Sequence, residues 1–540
     1  MQMSASRRSL QLLEKCRNMR QLKQAHGQAI TCGLGANSYA LSRLLAFCSD
    51  PVQGSLFHGY KIFEQIEQPT ICICNTMIKA LLLKKELEKT IAIYKDMLRN
   101  GMYPDNYTLP YMLKACANME NYNLGELIHG HCFKSGFLFN TYVVNSLIFM
   151  YSGFLNMEAA RLVFDEMPWP CVVSRTLLIS GYAKKGDVYG ARLVFDEAEL
   201  KDRGIWGAML SGYVQNNCFK EGLLLFRLMQ LDGVEPDEAI LVSALCACAH
   251  LGCLDIGIWV HRYVGKGNLP LSVKLGTALM DMYAKCGYLD VAEKVFYEMP
   301  RRDVICWNTM ISGFAMNGNG KGALKLFREM EKNGIRPDDI TFISLFTACS
   351  YSCLAHEGLM LLDVMCNVYG LEPRSEHYGC IIDFLSRAGL LEEAKTIVHR
   401  MPNSNGSSEE TIAWRALLSA CCSHGEIHLA EAAAERLVQL ERHSGAYVLL
   451  SNVYSAAGRY DCAKRMRKKM RSQGIDKAPG CSSVEINGVA HEFIAGEKTH
   501  LLMDEVCGLL ETLHKQSDFS WCDSRFFLSD YIALLDNRLI

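Results

Sequence analysis

Asn100-Gly101-Met102-Tyr103-Pro104-Asp105, Asp232-Gly233-Val234-Glu235-Pro236-Asp237 and Asn333-Gly334-Ile335-Arg336-Pro337-Asp338 are one ending written three times. Tyr369-Gly370-Leu371-Glu372-Pro373-Arg374 is a fourth, altered copy, and a second ending stands at Glu166-Met167-Pro168 and Glu298-Met299-Pro300, echoed at Met401-Pro402. Such self-similarity marks a repeat architecture. Asp105 and Asp237 lie 132 residues apart, which divides into two units of 35 and two of 31. Asp237 and Asp338 lie 101 apart, two units of 35 and one of 31. The cuts give units 71–105, 106–140, 141–171, 172–202, 203–237, 238–272, 273–303, 304–338, 339–374 and 375–406. Tyr94, Phe164, Phe195, Phe226, Phe296 and Phe327 all fall at the twenty-fourth place of their own unit, an independent check on the phase.

Each unit reads as two helices. In 273–303 the run Ala278-Leu279-Met280-Asp281-Met282-Tyr283-Ala284 is apolar at helical spacing, and Cys286-Gly287 stops it. Leu289, Val291, Ala292, Val295 and Phe296 form a second stripe, ended by Met299-Pro300. One helical pair buries too little surface to stand alone, so pairs must stack. The expectation is an all-α fold, a right-handed α-solenoid superhelix of stacked helical hairpins from about residue 10 to about 480.

The 540 residues are 50% hydrophobic and 21% charged, which excludes a largely disordered chain. The 56 basic and 58 acidic residues leave a net charge of −2. A nucleic-acid binder held by bulk positive charge should be basic, so any selectivity here must come from placed side chains. The 24 cysteines include no Cys-x-x-Cys pair, and many sit beside Ala in helix-like runs. They read as buried small hydrophobes rather than zinc ligands or a disulfide scaffold. No apolar run approaches the ~20 residues that cross a bilayer, so no membrane association is expected. The first 30 residues carry Arg7, Arg8, Lys15, Arg17, Arg20 and Lys23 against Glu14 alone. With their serines they suit an organelle transit peptide, the alternative being a basic helix that belongs to the fold.

The run Val304-Ile305-Cys306-Trp307-Asn308-Thr309-Met310-Ile311-Ser312-Gly313, closing at Pro337-Asp338, resembles the pentatricopeptide repeat. The 35- and 31-residue alternation is similar to the plant PLS subclass. The tetratricopeptide repeat is the rival by period, but its Trp-Leu-Gly-Tyr signature is absent. The resemblance implies single-stranded RNA binding, one base per repeat, chosen by the fifth and the last residue of each unit. It assigns U to Asn75 with Asp105 and to Asn308 with Asp338. It assigns G to Thr176 with Asp202 and to Thr277 with Asp303, and an unranked pyrimidine to Asn145 with Cys171. Gly207 with Asp237 receives no base. Pro110, Val242 and Ile343, at the fifth place of long units, are expected to discriminate little. Unit 38–70, with Ser42 and Thr70, is irregular. Residues 1–9 form an expected short targeting segment and 10–37 a partial long repeat. A lone Asn near a helix start is more often a cap or a solvated side chain; four matched pairs in phase argue for function.

After residue 406 the rhythm changes. Trp414-Arg415-Ala416-Leu417-Leu418-Ser419-Ala420-Cys421 and Tyr447-Val448-Leu449-Leu450-Ser451-Asn452-Val453-Tyr454 resemble the E motifs that follow PLS repeats, giving a helical extension over 407–480. Val484-Glu485-Ile486 and Val489-Ala490-His491-Glu492-Phe493 flank Asn487-Gly488 and predict a small β-hairpin near the C-terminus. This stretch, 481–516, is similar to the E+ segment that leads into a DYW deaminase domain. A zinc deaminase needs His-x-Glu and a downstream Pro-Cys-x-x-Cys. His424-Gly425-Glu426 supplies only the first half, inside the helical extension, so no catalytic residue, no metal site and no cofactor is expected. The tail 517–540, with Trp521, Phe526, Phe527 and Tyr531, matches nothing in the family.

Taken together, the resemblance implies an RNA-binding adaptor, foremost for C-to-U editing, with a DYW-type deaminase recruited in trans and multiple organellar RNA editing factors as helpers. With unit 375–406 set four bases before the edited cytidine, it predicts U at −13, pyrimidine at −11, G at −10, G at −7 and U at −6. Splicing or transcript stabilisation, and a protein-interaction solenoid without RNA, stand as the alternatives. The arginine bias favours a mitochondrial location, with the chloroplast as alternative.

Overall fold

The computed structural model describes residues 5–50, 53–267, 271–400, 408–441, 443–475, 480–486, 489–494 and 503–517. The chain is an α-solenoid of helical hairpins and divides into two compact units, Met1–Ala247 and Cys248–Ile540. The first helix of the chain, Ala5–Lys15, starts inside the segment expected to be a targeting peptide, and Ser9 on it is fully buried. Met1–Ser4, the Asn487-Gly488 turn and the 518–540 tail lie outside the described residues.

The two helices of a hairpin have different jobs, and their residues show it. In 304–338 the helix Val304–Met316 buries Cys306, Trp307, Asn308, Met310, Ile311, Gly313, Phe314 and Ala315, which are spread around its circumference. Its partner Gly320–Lys332 buries Gly320, Ala323, Leu326, Phe327 and Met330, a single stripe at three- and four-residue spacing. A helix apolar on several sides must be sandwiched, whereas an amphipathic one can face water. Hairpin 141–171 repeats the contrast. Thr141–Gly153 buries Val143, Val144, Leu147, Ile148, Met150 and Tyr151, while Met157–Asp165 buries only Met157, Ala160, Val163 and Phe164.

Three of the twenty-fourth-place aromatics lock neighbouring hairpins together. Phe195 meets Trp206 edge-on with ring centroids 5.0 Å apart, and Phe296 meets Trp307 at 4.8 Å. Phe327 meets Phe342 at 5.9 Å in the same geometry. Each partner is the fourth residue of the next unit. Edge-to-face pairs of this kind contribute about 0.5–1.5 kcal/mol beyond their buried area.

The repeated endings are helix stops. Gly101, Gly233 and Gly334 each have φ of +70°, a left-handed conformation that glycine adopts without a Cβ penalty. The next amide reaches back over the turn, Met102 to the Met97 carbonyl, Val234 to Met229 and Ile335 to Met330. Pro104, Pro236 and Pro337 are buried behind these turns, which aims the following Asp at the next helix.

Beyond the repeats, helices Ser408–His424, Ile427–Leu440, Ser444–Ala456 and Tyr460–Ser472 form two further hairpins. Arg415 pairs with Glu441 at 2.7 Å and Arg436 with Glu410 at 2.8 Å. Strands Cys481–Ile486 and Val489–Ile494 then pair antiparallel, with Cys481 opposite Ile494 and Ile486 opposite Val489. Cys48, Cys74, Cys116, Cys132, Cys306, Cys349 and Cys421 are buried free thiols. Burial pushes Cys48 up to about 11 and Cys116 up to about 12, far from thiolate chemistry at neutral pH. No described helix is long and apolar enough to cross a membrane.

Candidate nucleic-acid interface

The fifth residue of a unit sits about one turn into its first helix. The last residue sits just before the first helix of the next unit. Stacking brings the two together across the boundary. Asn308 Nδ2 donates to Asp338 Oδ1 at 2.9 Å. Asn75 Nδ2 donates to Asp105 Oδ1 at 3.1 Å and to Oδ2 at 3.2 Å. Asn308 is 5% exposed, so its amide is held rather than solvated.

The aspartates also cap helices. Asp202 accepts from the Ile205 amide at 3.0 Å, Asp303 from Cys306 at 3.0 Å and Asp237 from Ile240 at 3.0 Å. Asp338 forms a capping box with Thr341. A capping role alone would place Asp there; what capping does not explain is the Asn at the matching fifth place. Burial works against the charge of Asp105, but bonds from the Thr108 amide and hydroxyl, the Tyr107 amide and Asn75 outweigh it and hold the carboxyl below its usual range.

The other pairs differ. Thr176 donates back to the Val172 carbonyl at 2.9 Å, and both Thr176 and Asp202 lie around the position a Gly204 Cβ would take. Thr277 donates to the Val273 carbonyl at 2.7 Å and lies 3.2 Å from Cys306 Sγ. Asn145 reaches Cys171 Sγ at 3.6 Å, and its buried Oδ1 has no partner among the described residues. A Cβ on Gly207 would stand 3.3 Å from Ile240 Cγ1, so that slot is already filled. Pro110, Val242 and Ile343 are half-buried.

Two rows of residues escaped the sequence reading. Tyr107, Tyr142, Val173, Ile305 and Ile340, each the second residue of its unit, are large, apolar and 54–77% exposed. Exposed apolar side chains beside hydrogen-bonding groups can stack on bases. The other row is the third residue of each following unit. Thr108 Oγ1 donates to Asn75 Oδ1 at 2.7 Å, and Thr341 Oγ1 to Asn308 Oδ1 at 2.6 Å. The signal was present in Asp105-Asn106-Tyr107-Thr108 and Asp338-Asp339-Ile340-Thr341, which have the spacing of a capping box.

His424, the one His-x-Glu candidate, donates from Nε2 to the Ser386 carbonyl at 2.9 Å. Among the described residues no three His, Cys, Asp or Glu side chains are grouped to hold a metal.

Comparison with known proteins agrees with this architecture. The PPR repeat family model matches 69–118 and 302–350, the PPR repeat model matches 173–202, 204–234, 277–304 and 376–405, and the E motif matches 424–485. The chain is therefore built from the repeat class that its helical hairpins define. It belongs to the pentatricopeptide repeat family, with an E extension after the repeats. A chloroplastic pentatricopeptide repeat-containing protein of Arabidopsis thaliana is 34% identical over 94% of this chain and 82% of its own length. A mitochondrial one from the same plant is 33% identical over 96% of this chain and 92% of its own. A third is 37% identical over 94% of both. Among solved structures, pentatricopeptide repeat protein PPR10 in complex with an 18-nt psaJ RNA element superposes with a TM-score of 0.57. That alignment has 15% identity and covers 87% of this chain and 74% of that one, which speaks to the fold.

Proposed function

We propose that this chain is a sequence-specific adaptor for single-stranded RNA in an organelle, selecting sites for C-to-U editing while a DYW-type deaminase acts in trans. The observation that carries the reading is the pairing of Asn75 with Asp105 and of Asn308 with Asp338. The same two residue types meet across a unit boundary, in phase, in both halves of the array. Each pair sets an amide N–H beside a carboxylate, a donor next to an acceptor. The exposed row at Tyr107, Tyr142, Val173, Ile305 and Ile340 supplies surfaces for stacking bases. Relatives labelled chloroplastic and mitochondrial support an organelle, and the arginine bias of the N-terminus favours the mitochondrion. The E motif after the repeats supports editing, since in this reading residues 407–516 recruit the deaminase and the multiple organellar RNA editing factors brace the long units.

Transcript sequencing from a line lacking the protein tests it. Editing is expected to fail at one or a few cytidines preceded by U at −13, pyrimidine at −11, G at −10, G at −7 and U at −6. Intact editing with a spliced or stabilised transcript missing would move the function to RNA processing. In a protein-interaction solenoid without RNA, Asn75→Ala and Thr277→Ala would be harmless.

A further inference from the structure

We propose that the third residue of the following unit, Thr108 for Asn75 and Thr341 for Asn308, is a positioning residue that turns a pyrimidine-tolerant asparagine into a uracil-selective one. The proposal rests on the base-reading function above.

A free Asn amide carries a donor and an acceptor and can present either by turning over. At Asn308 it cannot. Its Nδ2 faces the Asp338 carboxylate at 2.9 Å, and its Oδ1 lies 2.6 Å from the Thr341 hydroxyl, whose one proton is shared between Asn308 Oδ1 and Asp338 Oδ1 at 2.9 Å. The Thr341 oxygen in turn accepts the Asp338 backbone N–H at 3.1 Å. Turning the amide over would press Oδ1 against a carboxylate oxygen, two acceptors in contact. Thr341 is fully buried, so water does not replace these bonds. Asn75, Asp105 and Thr108 repeat the arrangement, with the hydroxyl 2.7 Å from Asn75 Oδ1 and the Asp105 amide 3.3 Å from the Thr108 oxygen.

What Asn308 then has for a base is its amide N–H beside the Asp338 carboxylate. A donor next to an acceptor complements the carbonyl and ring N–H of uracil. Cytosine offers an amino group and an unprotonated ring nitrogen at the same places, so it meets donor with donor and acceptor with acceptor.

Unit 141–171 shows the unlocked case. Its third-place residue is Ser174, whose hydroxyl donates to the Cys171 carbonyl at 2.7 Å instead of to Asn145. Cys171 replaces the carboxylate with a thiol 3.6 Å away, and Asn145 Oδ1 is left without a partner among the described residues. This amide is free to turn and accepts either pyrimidine. Where the fifth residue is Gly207, the third-place Ile240 occupies the space instead.

The test uses the full chain and fluorescence anisotropy with single-stranded RNA of the predicted pattern, varied to U, C, A or G at −6, −11 and −13. Wild type is expected to prefer U over C by about tenfold at −6 and −13, the scale of one good base contact, and by twofold or less at −11. Thr341→Val should bring the U-to-C ratio at −6 to about twofold and leave −13 unchanged; Thr108→Val should do the reverse. Circular dichroism checks that each variant folds. Because both valines also remove a capping bond, a gain-of-function pair accompanies them: Cys171→Asp with Ser174→Thr should exceed Cys171→Asp alone in U-over-C preference at −11. Equal weakening for all four bases, with ratios kept, would mean a structural threonine and overturn the proposal, as would no gain from Ser174→Thr. A wild-type chain without base preference at −6 and −13 would instead overturn the base-reading function, and the lock with it.

Discussion

The side-chain amide of Asn317 donates to the carbonyl of Ala284 at 2.9 Å, and also to that of Gly313 at 2.8 Å. It thereby ties the end of one unit's first helix to the end of the preceding one. Asn216 does the same to Ala183 and Gly212, at 2.9 and 2.8 Å. Both asparagines stand at the fourteenth place of their unit. Helix ends leave carbonyls without intrahelical partners, and here the next repeat supplies the donor. The close approach needs glycine at the tenth place. A Cβ on Gly313 or on Gly212 would come within 2.9 Å of the Ala284 or Ala183 Cβ.

Asn317→Ala should therefore destabilise by about 1 kcal/mol, and Gly313→Val by about 1–3 kcal/mol through overpacking. Because repeat stability is a sum of neighbour terms, the loss should be local. Hydrogen exchange should quicken in helices Val273–Lys285 and Val304–Met316 and be unchanged in 141–171. Uniform exchange across the array would contradict this account.

Asn308→Thr should move base preference at −6 from U toward G. Thr277 shows what a threonine does at this place: its hydroxyl bonds its own helix at Val273 and presents an oxygen that can accept. A binding profile at −6 that does not change would count against the assignment of Asn308 and Asp338 to base reading.

Acidification should weaken the fold. His26, His58, His129, His131 and His261 all have pKa values lowered from 6.5, first because burial disfavours the cation. His129 and His261 are further tied to the hydroxyls of Tyr151 and Tyr283, at 2.8 and 2.9 Å. The unfolded chain takes up these protons near pH 6.5 and the folded chain does not. The stability is thus fully present above that pH and declines as pH falls below it. Melting temperature measured from pH 7.5 to 5.5 should drop, and His129→Gln should flatten part of the slope.

RNA affinity should depend weakly on salt. With 56 basic and 58 acidic residues the chain lacks the bulk charge that releases many counterions. The slope of log affinity against log salt should be no steeper than about −3, which corresponds to roughly four phosphates on a single strand. A slope typical of strongly basic binders would show that phosphate contacts, rather than base edges, dominate.

Much of this protein is legible along the chain. The three Pro-Asp endings, the spacing of 35 and 31, and the aligned aromatics follow from what each unit must do by itself: start a helix, stop it at a left-handed glycine, and bury a stripe. Asn75, Asp105, Asn308 and Asp338 stand out because they recur in phase. Thr108 and Thr341 did not, because each belongs to one unit by count and acts on the residue of another. The same holds for Asn216 and Asn317.

The sequence alone therefore determined the period, the helical hairpins and the residue types at the reading positions, since those depend on local backbone preference and on burial periodicity. Only the tertiary structure decided how each reading side chain is held. Asn145 and Asn308 are the same residue at the same place. One has its oxygen without a partner among the described residues and the other has it 2.6 Å from the Thr341 hydroxyl, because Ser174 turns its hydroxyl to its own helix start while the Thr341 hydroxyl stands between its own cap, Asp338 Oδ1 at 2.9 Å, and Asn308 across the repeat boundary. The stacking of two hairpins, rather than the residues of either one, sets which acceptors a hydroxyl can reach.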